Sequence, residues 1–156
     1  MSTPAISTFA TPLPSGPVVL KVGDEMPRSA FGPVSRTDIV RHAGAGGDFH
    51  PLHHDELYAK EAGFPGVFAM GLMQAGMLGN RLARWVGPDN IRAFSVRFTS
   101  QVWPGDELEF AGHVESITET DGEHRATISL TVLRRTGDPV ITATATAAIA
   151  PPKESS

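Results

Sequence analysis

From Phe94 to Ile149 apolar and polar residues alternate with a period of two, and no other feature limits the fold of this chain as strongly. Phe94, Val96, Phe98 and Val102 point one way, while Ser95, Arg97, Thr99 and Gln101 point the other. Leu108, Phe110 and Val114 oppose Glu107, Glu109, His113 and Glu115, and the turn Trp103-Pro104-Gly105-Asp106 separates the two strands. Two more strands are expected around residues 125–135 and 140–149, joined through the hairpin signals Asp121-Gly122 and Thr136-Gly137-Asp138-Pro139. Strands patterned in this way bury one face of a sheet, and that face needs an apolar cover.

The cover precedes the strands. Met70, Met73, Met77, Leu78, Leu82 and Trp85 recur at short helical steps, which predicts a long helix from about Ala69 to Val86. It is apolar on nearly every side and is expected to be surrounded by protein. Gly71, Gly76 and Gly79 each cost roughly 1 kcal/mol against Ala inside a helix. A close approach of the backbone to a sheet or ligand would offset that cost. One long buried helix followed by a meander of antiparallel strands is an α+β fold, with the sheet wrapped around the helix.

Upstream of that helix the chain reads as short helices and loops. Ser35 is a plausible N-cap for a helix that buries Ile39, Val40 and Ala43 and stops at Gly44, Gly46 and Gly47. Asp55 caps a second short helix that runs through Ala62 to Gly63. Between them lies the loop Asp48-Phe49-His50-Pro51-Leu52-His53-His54. Residues 1–18 and 151–156 are rich in Pro and Ser and are expected to be a flexible arm and a tail around one domain at 19–150.

Composition narrows the partners. The 156 residues suit one domain, and 13 Lys plus Arg against 17 Asp plus Glu leave a net charge of −4. Without a basic face, neither nucleic acid nor a membrane surface is an expected partner. The absence of cysteine excludes disulfides, thiolate nucleophiles and Cys-ligated metals. The longest apolar stretch, Val67 to Gly79, is too short to span a bilayer, and the first twenty residues lack a basic leader region, so a soluble, cytoplasmic protein is expected.

The run Gly47-Asp48-Phe49-His50-Pro51-Leu52-His53, followed by Asp55, by Ala69-Met70-Gly71-Leu72-Met73 and by Pro104-Gly105-Asp106, resembles the MaoC-like, (R)-specific enoyl-CoA hydratase family over about residues 20 to 150. The His53-His54-Asp55-Glu56 run and the Val-Trp-Pro-Gly-Asp turn also look like single-domain dehydratase subunits of bacterial fatty-acid elongation. The resemblance implies a single hot-dog domain, in which a curved antiparallel sheet wraps a long helix. It implies a dimer, either of one chain or of two related subunits, that acts on acyl-CoA or acyl carrier protein thioesters with no cofactor. Position by position, Asp48 and His53 fall on the catalytic pair, and Gly71 falls on the residue whose backbone N–H receives the thioester oxygen. Phe49, His50 and Met70 then become substrate-binding candidates. His50 stands where the family carries Asn, and Met70 where it carries His.

The chemistry suits those residue types. Hydration of a 2-enoyl thioester needs an activated water, a proton for C2 and a partner for the enolate oxygen. Pro51 fixes its own φ and biases His50 to extended backbone, so one bent loop can aim Asp48 and His53 at a single water. The first N–H groups of a helix lack internal partners and lie at the positive end of its dipole. Each assignment has a structural rival: an Asx-turn for Asp48, a hydrogen-bonded core role for His53, helix packing for Gly71. Asp48, His50, His53, His54 and Asp55 also form a dense set of metal-ligand types, which His113 or His124 would complete as a facial triad. Arg81, Arg84, Arg92 and Arg97 could meet CoA phosphates or form a solvated face. Gly44-Ala45-Gly46-Gly47 lacks the spacing of a dinucleotide loop, and no Gly-x-Ser-x-Gly elbow is present.

Overall fold

A computed structural model describes residues 12–151 of the chain. Its elements run β1 (Ser29–Phe31), α1 (Arg36–Gly46), α2 (Glu56–Glu61), α3 (Gly71–Val86), β2 (Ile91–Phe98), β3 (Leu108–Thr120), β4 (Glu123–Arg134) and β5 (Pro139–Ala148), with 3₁₀ turns at Pro51–His53 and Pro88–Asn90. The strands form one antiparallel sheet in the order β1-β3-β4-β5-β2, which wraps α3 in the expected hot-dog arrangement.

The period of two sets which side chains meet α3. Leu108, Phe110 and Val114 on β3, with Ile128, Leu130 and Val132 on β4, are buried together with Leu78, Leu82 and Val86 of the helix. The matching positions of β5 are Ala143, Ala145 and Ala147, whose short side chains let the sheet come close to the helix axis. Burying a Leu such as Leu82 fully contributes on the order of 1.5–3 kcal/mol. Register shifts between Val114 and Ser116 and between Ile91 and Ala93 add the local twist that a wrapped sheet needs.

Several expectations are corrected. The meander holds for β3, β4 and β5, but β2 does not pair with β3 across the Trp103–Asp106 turn. It pairs with β5 at the far edge of the sheet, and residues 99–107 cross back to β3. Among the described residues a strand so placed has only one partner, which leaves Phe94 and Phe98 exposed although they face the helix as the alternation requires. Nor is α3 enclosed on all sides, since Leu72, Gly76, Asn80 and Arg84 are exposed. Helix α1 continues through Gly44 to Gly46, where a stop was expected, and Val40 lies on its exposed side. A complete capping box between Ser35 and Asp38 starts it, and Gly47, at φ +73°, ends it in left-handed geometry. Strand β1 is too short to give a periodic signal.

The described part of the N-terminal segment is tied to the body before residue 19. Val18 bridges Ile149, and the buried Asn90 amide donates to the carbonyls of Gly16 (2.9 Å) and Val86 (2.6 Å). Residues 1–11 and 152–156, the rest of the proposed arm and tail, lie outside the described residues. Among the described residues no helix is long and apolar enough to cross a membrane.

Candidate active site

Pro51 does what its position suggests: it opens a 3₁₀ turn that folds the 48–54 loop back on itself. Asp48 Oδ1 accepts from the His50 N–H at 3.3 Å, so the Asx-type contact is present. Its other oxygen, Oδ2, faces His53 Nε2 across 3.8 Å, longer than a direct hydrogen bond. The Asx-type contact and the approach to His53 thus use different oxygens of Asp48.

The tautomer of His53 follows from its far side. Nδ1 lies 2.7 Å from the backbone carbonyl of Phe68, which can only accept, so Nδ1 carries the proton. A neutral His53 then presents an Nε2 lone pair towards Asp48. The imidazole side chain is only 11 % exposed, while that of Asp48 is 40 % exposed, so the pair joins a held base to an accessible carboxylate. Behind the ring stands an aromatic column: Phe68 meets His53 edge-on at 5.3 Å, and Trp103 meets Phe68 at 5.5 Å. The Phe68 segment is fixed in turn by the Ala69 N–H, which donates to the Val102 carbonyl at 2.8 Å. Asp106 holds the Trp103 N–H and the Arg134 guanidinium, both at 2.9 Å. The Val-Trp-Pro-Gly-Asp turn thus braces the segment whose carbonyl orients His53.

Asp48 and His53 close one end of a cleft of about 380 Å³. The other wall is the start of α3 together with residues 98–102, which cross away from β2. Met70 is the N-cap of α3 and makes no side-chain capping bond, and among the described residues nothing accepts from the Gly71 N–H. A Cβ on Gly71 would fall 2.8 Å from the Phe98 ring, so only glycine lets the helix start sit this close to β2. The close approach expected at Gly71 and Gly79 is therefore met by Phe98 and Phe94, whereas Gly76 faces open space.

The remaining candidates divide. Met70 lines the cleft and is buried. His50 and Phe49 do not line it. His50 caps the 3₁₀ turn, its Nδ1 accepting from the Leu52 N–H at 3.2 Å. Phe49 is 64 % exposed and lines a separate apolar recess under α1. The ligand-type residues around them are engaged one by one: His54 Nε2 donates to the Phe49 carbonyl, and Asp55 caps α2 through the Leu57 and Tyr58 N–H groups. Among the described residues no three such side chains converge as a metal site would require. Two cleft residues went unread in the sequence. Gln74 is buried beneath the helix start, and its amide nitrogen donates to the carbonyls of Gly71 (2.9 Å) and Met70 (2.5 Å). A glutamine within an otherwise apolar stretch was an available signal. Phe68 acts through its carbonyl, which no residue type announces.

The fold agrees with comparisons to known proteins. The chain is 40 % identical over 77 residues to 3-hydroxyacyl-thioester dehydratase X of Mycobacterium tuberculosis, covering 49 % of this chain and 26 % of that protein. It spans between 7 and 33 % of the length of the curated relatives it matches. Its fold is shared with a chain of the ChsH1-ChsH2 complex of Mycobacterium tuberculosis, at TM-score 0.73 and 24 % identity, over 85 % of this chain and 100 % of that one. The (R)-hydratase of A. caviae involved in PHA biosynthesis aligns at TM-score 0.72 and 22 % identity, over 84 % of this chain and 98 % of that one. The family sequence model described as the MaoC like domain matches residues 19–135, a segment that carries the 48–54 loop, all of α3 and the 103–106 turn, and the chain is a member of that family.

Proposed function

We propose that the chain is a hydro-lyase that hydrates trans-2-enoyl thioesters, carried on CoA or on acyl carrier protein, to (R)-3-hydroxyacyl thioesters, or runs the reverse dehydration. The observation that carries this reading is the cleft with Asp48 and His53 3.8 Å apart at one end and an uncapped helix start at Gly71 on its wall. A water between Asp48 Oδ2 and His53 Nε2 can be polarised by both. As it adds to C3, the His53 lone pair takes its proton and electron density moves to the thioester oxygen. The Gly71 N–H and the α3 dipole stabilise that developing charge. The proton then passes to C2, which completes addition across the double bond. The Phe68 carbonyl keeps Nδ1 protonated throughout, so the exchanging proton is confined to Nε2.

The test is direct. Asp48→Asn and His53→Ala should each lower crotonyl-CoA hydration by at least ~10²-fold, the usual contribution of acid–base catalysis. Loss of the conjugated-thioester absorbance reads the rate, and chiral analysis of the product reads the configuration. Wild-type turnover in both variants, or an (S) product, overturns the proposal. A second reading, an acyl-thioester-binding subunit that works beside a related partner, is favoured by the bare edge of β2. It predicts a folded chain that binds acyl-CoA and turns it over only when the partner is added.

A further inference from the structure

Helix α3 separates two recesses. Opposite the catalytic cleft, Met73, Gly76, Met77 and Arg81 line an open groove of about 460 Å³, closed by Phe31 at the end of β1 and by the Asp38–Arg41 pair on α1. The groove joins an apolar floor to one uncompensated cation. Arg81 is half-buried, its guanidinium stacked 3.8 Å above the Phe110 ring centroid. Its Nε donates to Ser29 Oγ at 2.5 Å and its Nη1 to the Met77 carbonyl at 3.0 Å. Among the described residues no carboxylate pairs with it, and burial alone pulls its pKa down. A guanidinium has five N–H donors, so the Nη2 edge of Arg81 remains unspent.

Four arginines of the sheet and its turns are balanced differently. Arg92 and Arg125 share Glu123, Arg134 meets Asp106, and Arg135 meets Glu107. Asp38 lies in the groove but is committed elsewhere: the Ser35 hydroxyl at 2.6 Å and the Ser35 N–H at 2.9 Å lower the pKa of its carboxyl, with Arg41 3.7 Å away. Gly76 supplies the space. A Cβ there would meet nothing within 4 Å, so no packing demand explains a residue that costs a helix about 1 kcal/mol. The methionines beside it can adapt to an apolar chain.

We propose that this groove is a second ligand site, separate from the thioester cleft, for an amphiphile with an unbranched apolar body and one terminal carboxylate. The body lies over Gly76 against Met77 and Phe31, and the carboxylate pairs with the free Nη2 edge of Arg81. Such a pair is charge-assisted and partly shielded from water, which makes the anionic end the determinant of binding.

Octanoate and octanol, titrated into the full chain and followed by amide chemical-shift perturbation, test this. Octanoate should shift α1 and α3 residues around Gly76 and bind at least about tenfold more tightly than octanol. Arg81→Met should remove that preference, and Gly76→Leu, which fills open space without a clash, should weaken both ligands. Octanoate bound no better than octanol, an Arg81→Met variant that keeps the preference, or displacement of octanoate by crotonyl-CoA each overturns the proposal. If Arg81→Met does not fold, Arg81→Lys replaces it, and unchanged octanoate affinity there counts against a paired guanidinium. Crotonyl-CoA hydration by the same samples separates the two readings, since an inactive protein that binds octanoate as described would sink the hydratase reading alone.

Discussion

His50 is a cap of the loop that carries Asp48 and His53. The family resemblance puts Asn at this position, and here the imidazole Nδ1 accepts from the Leu52 N–H at 3.2 Å, a bond that an Asn oxygen can also make at a helix N-cap. The residue therefore shapes the loop that presents Asp48 and His53 and does not itself reach the cleft. His50→Asn should leave both the urea midpoint and hydration unchanged. His50→Ala should lose about 1 kcal/mol of stability, the usual cost of a missing N-cap acceptor. A His50→Asn variant with altered chain-length preference would instead return His50 to the substrate site. Asp48 and His53 were singled out in the sequence through the family resemblance of the 47–53 run, and the proline between them restricts how that loop can bend. The Phe68 carbonyl was not, because any residue could supply it and only the fold brings it 15 positions along the chain to His53.

At the scale of elements, α3 carries three glycines with three different neighbours. A Cβ would lie 2.8 Å from the Phe98 ring at Gly71, 3.4 Å from the Phe94 ring at Gly79, and clear of everything within 4 Å at Gly76. Gly76→Ala should therefore raise stability by about 1 kcal/mol, whereas Gly71→Ala should displace Phe98 and lower hydration. Thermal melts read the first, and kcat/KM on crotonyl-CoA reads the second. A stabilised and fully active Gly71→Ala variant would show that Phe98 yields without disturbing the cleft. The sequence carries the glycine spacing but cannot say which glycine faces β2, since that depends on β2 lying beside β5. Long strands were legible because 12 or 13 residues repeat the pattern many times, and the three-residue β1 was not.

The edge of the sheet also has an electrostatic tie. Arg92 on β2 and Arg125 on β4 both hold Glu123, and these two hydrogen bonds draw its carboxyl down from 4.5 to about 2. A folded pKa below the unfolded one adds stability that is complete above about 4.5 and is lost as pH falls towards 2. The cluster is solvent-exposed, so salt should weaken it. Glu123→Gln should accordingly flatten the acid limb of the stability curve between those values at low ionic strength and do little near neutral pH. An acid limb unchanged by the substitution would mean that the pairing is made equally in the unfolded chain.

For the whole molecule, the unpaired side of β2 is the unfinished part of the structure. Phe94 is 37 % exposed, Phe98 50 % and the neighbouring Leu72 65 %, while among the described residues the backbone groups along that side have no strand to meet. The same edge leads into residues 98–101, which wall the cleft beside Asp48 and His53. A second copy pairing through β2 would cover these rings and turn the open side of the cleft into an interior wall, where water is excluded and the Gly71 N–H acts in a lower dielectric. Assembly and catalysis are then coupled through one strand. Phe94→Lys places a charge on that edge without entering the cleft lining, so it should keep two such copies apart in analytical ultracentrifugation. It should also lower kcat/KM for crotonyl-CoA, with recovery as protein concentration rises. A monomeric variant with wild-type kcat/KM at every concentration would show that one subunit holds the whole site. A wild-type chain that is itself monomeric and inactive would assign the bare edge to a different partner subunit.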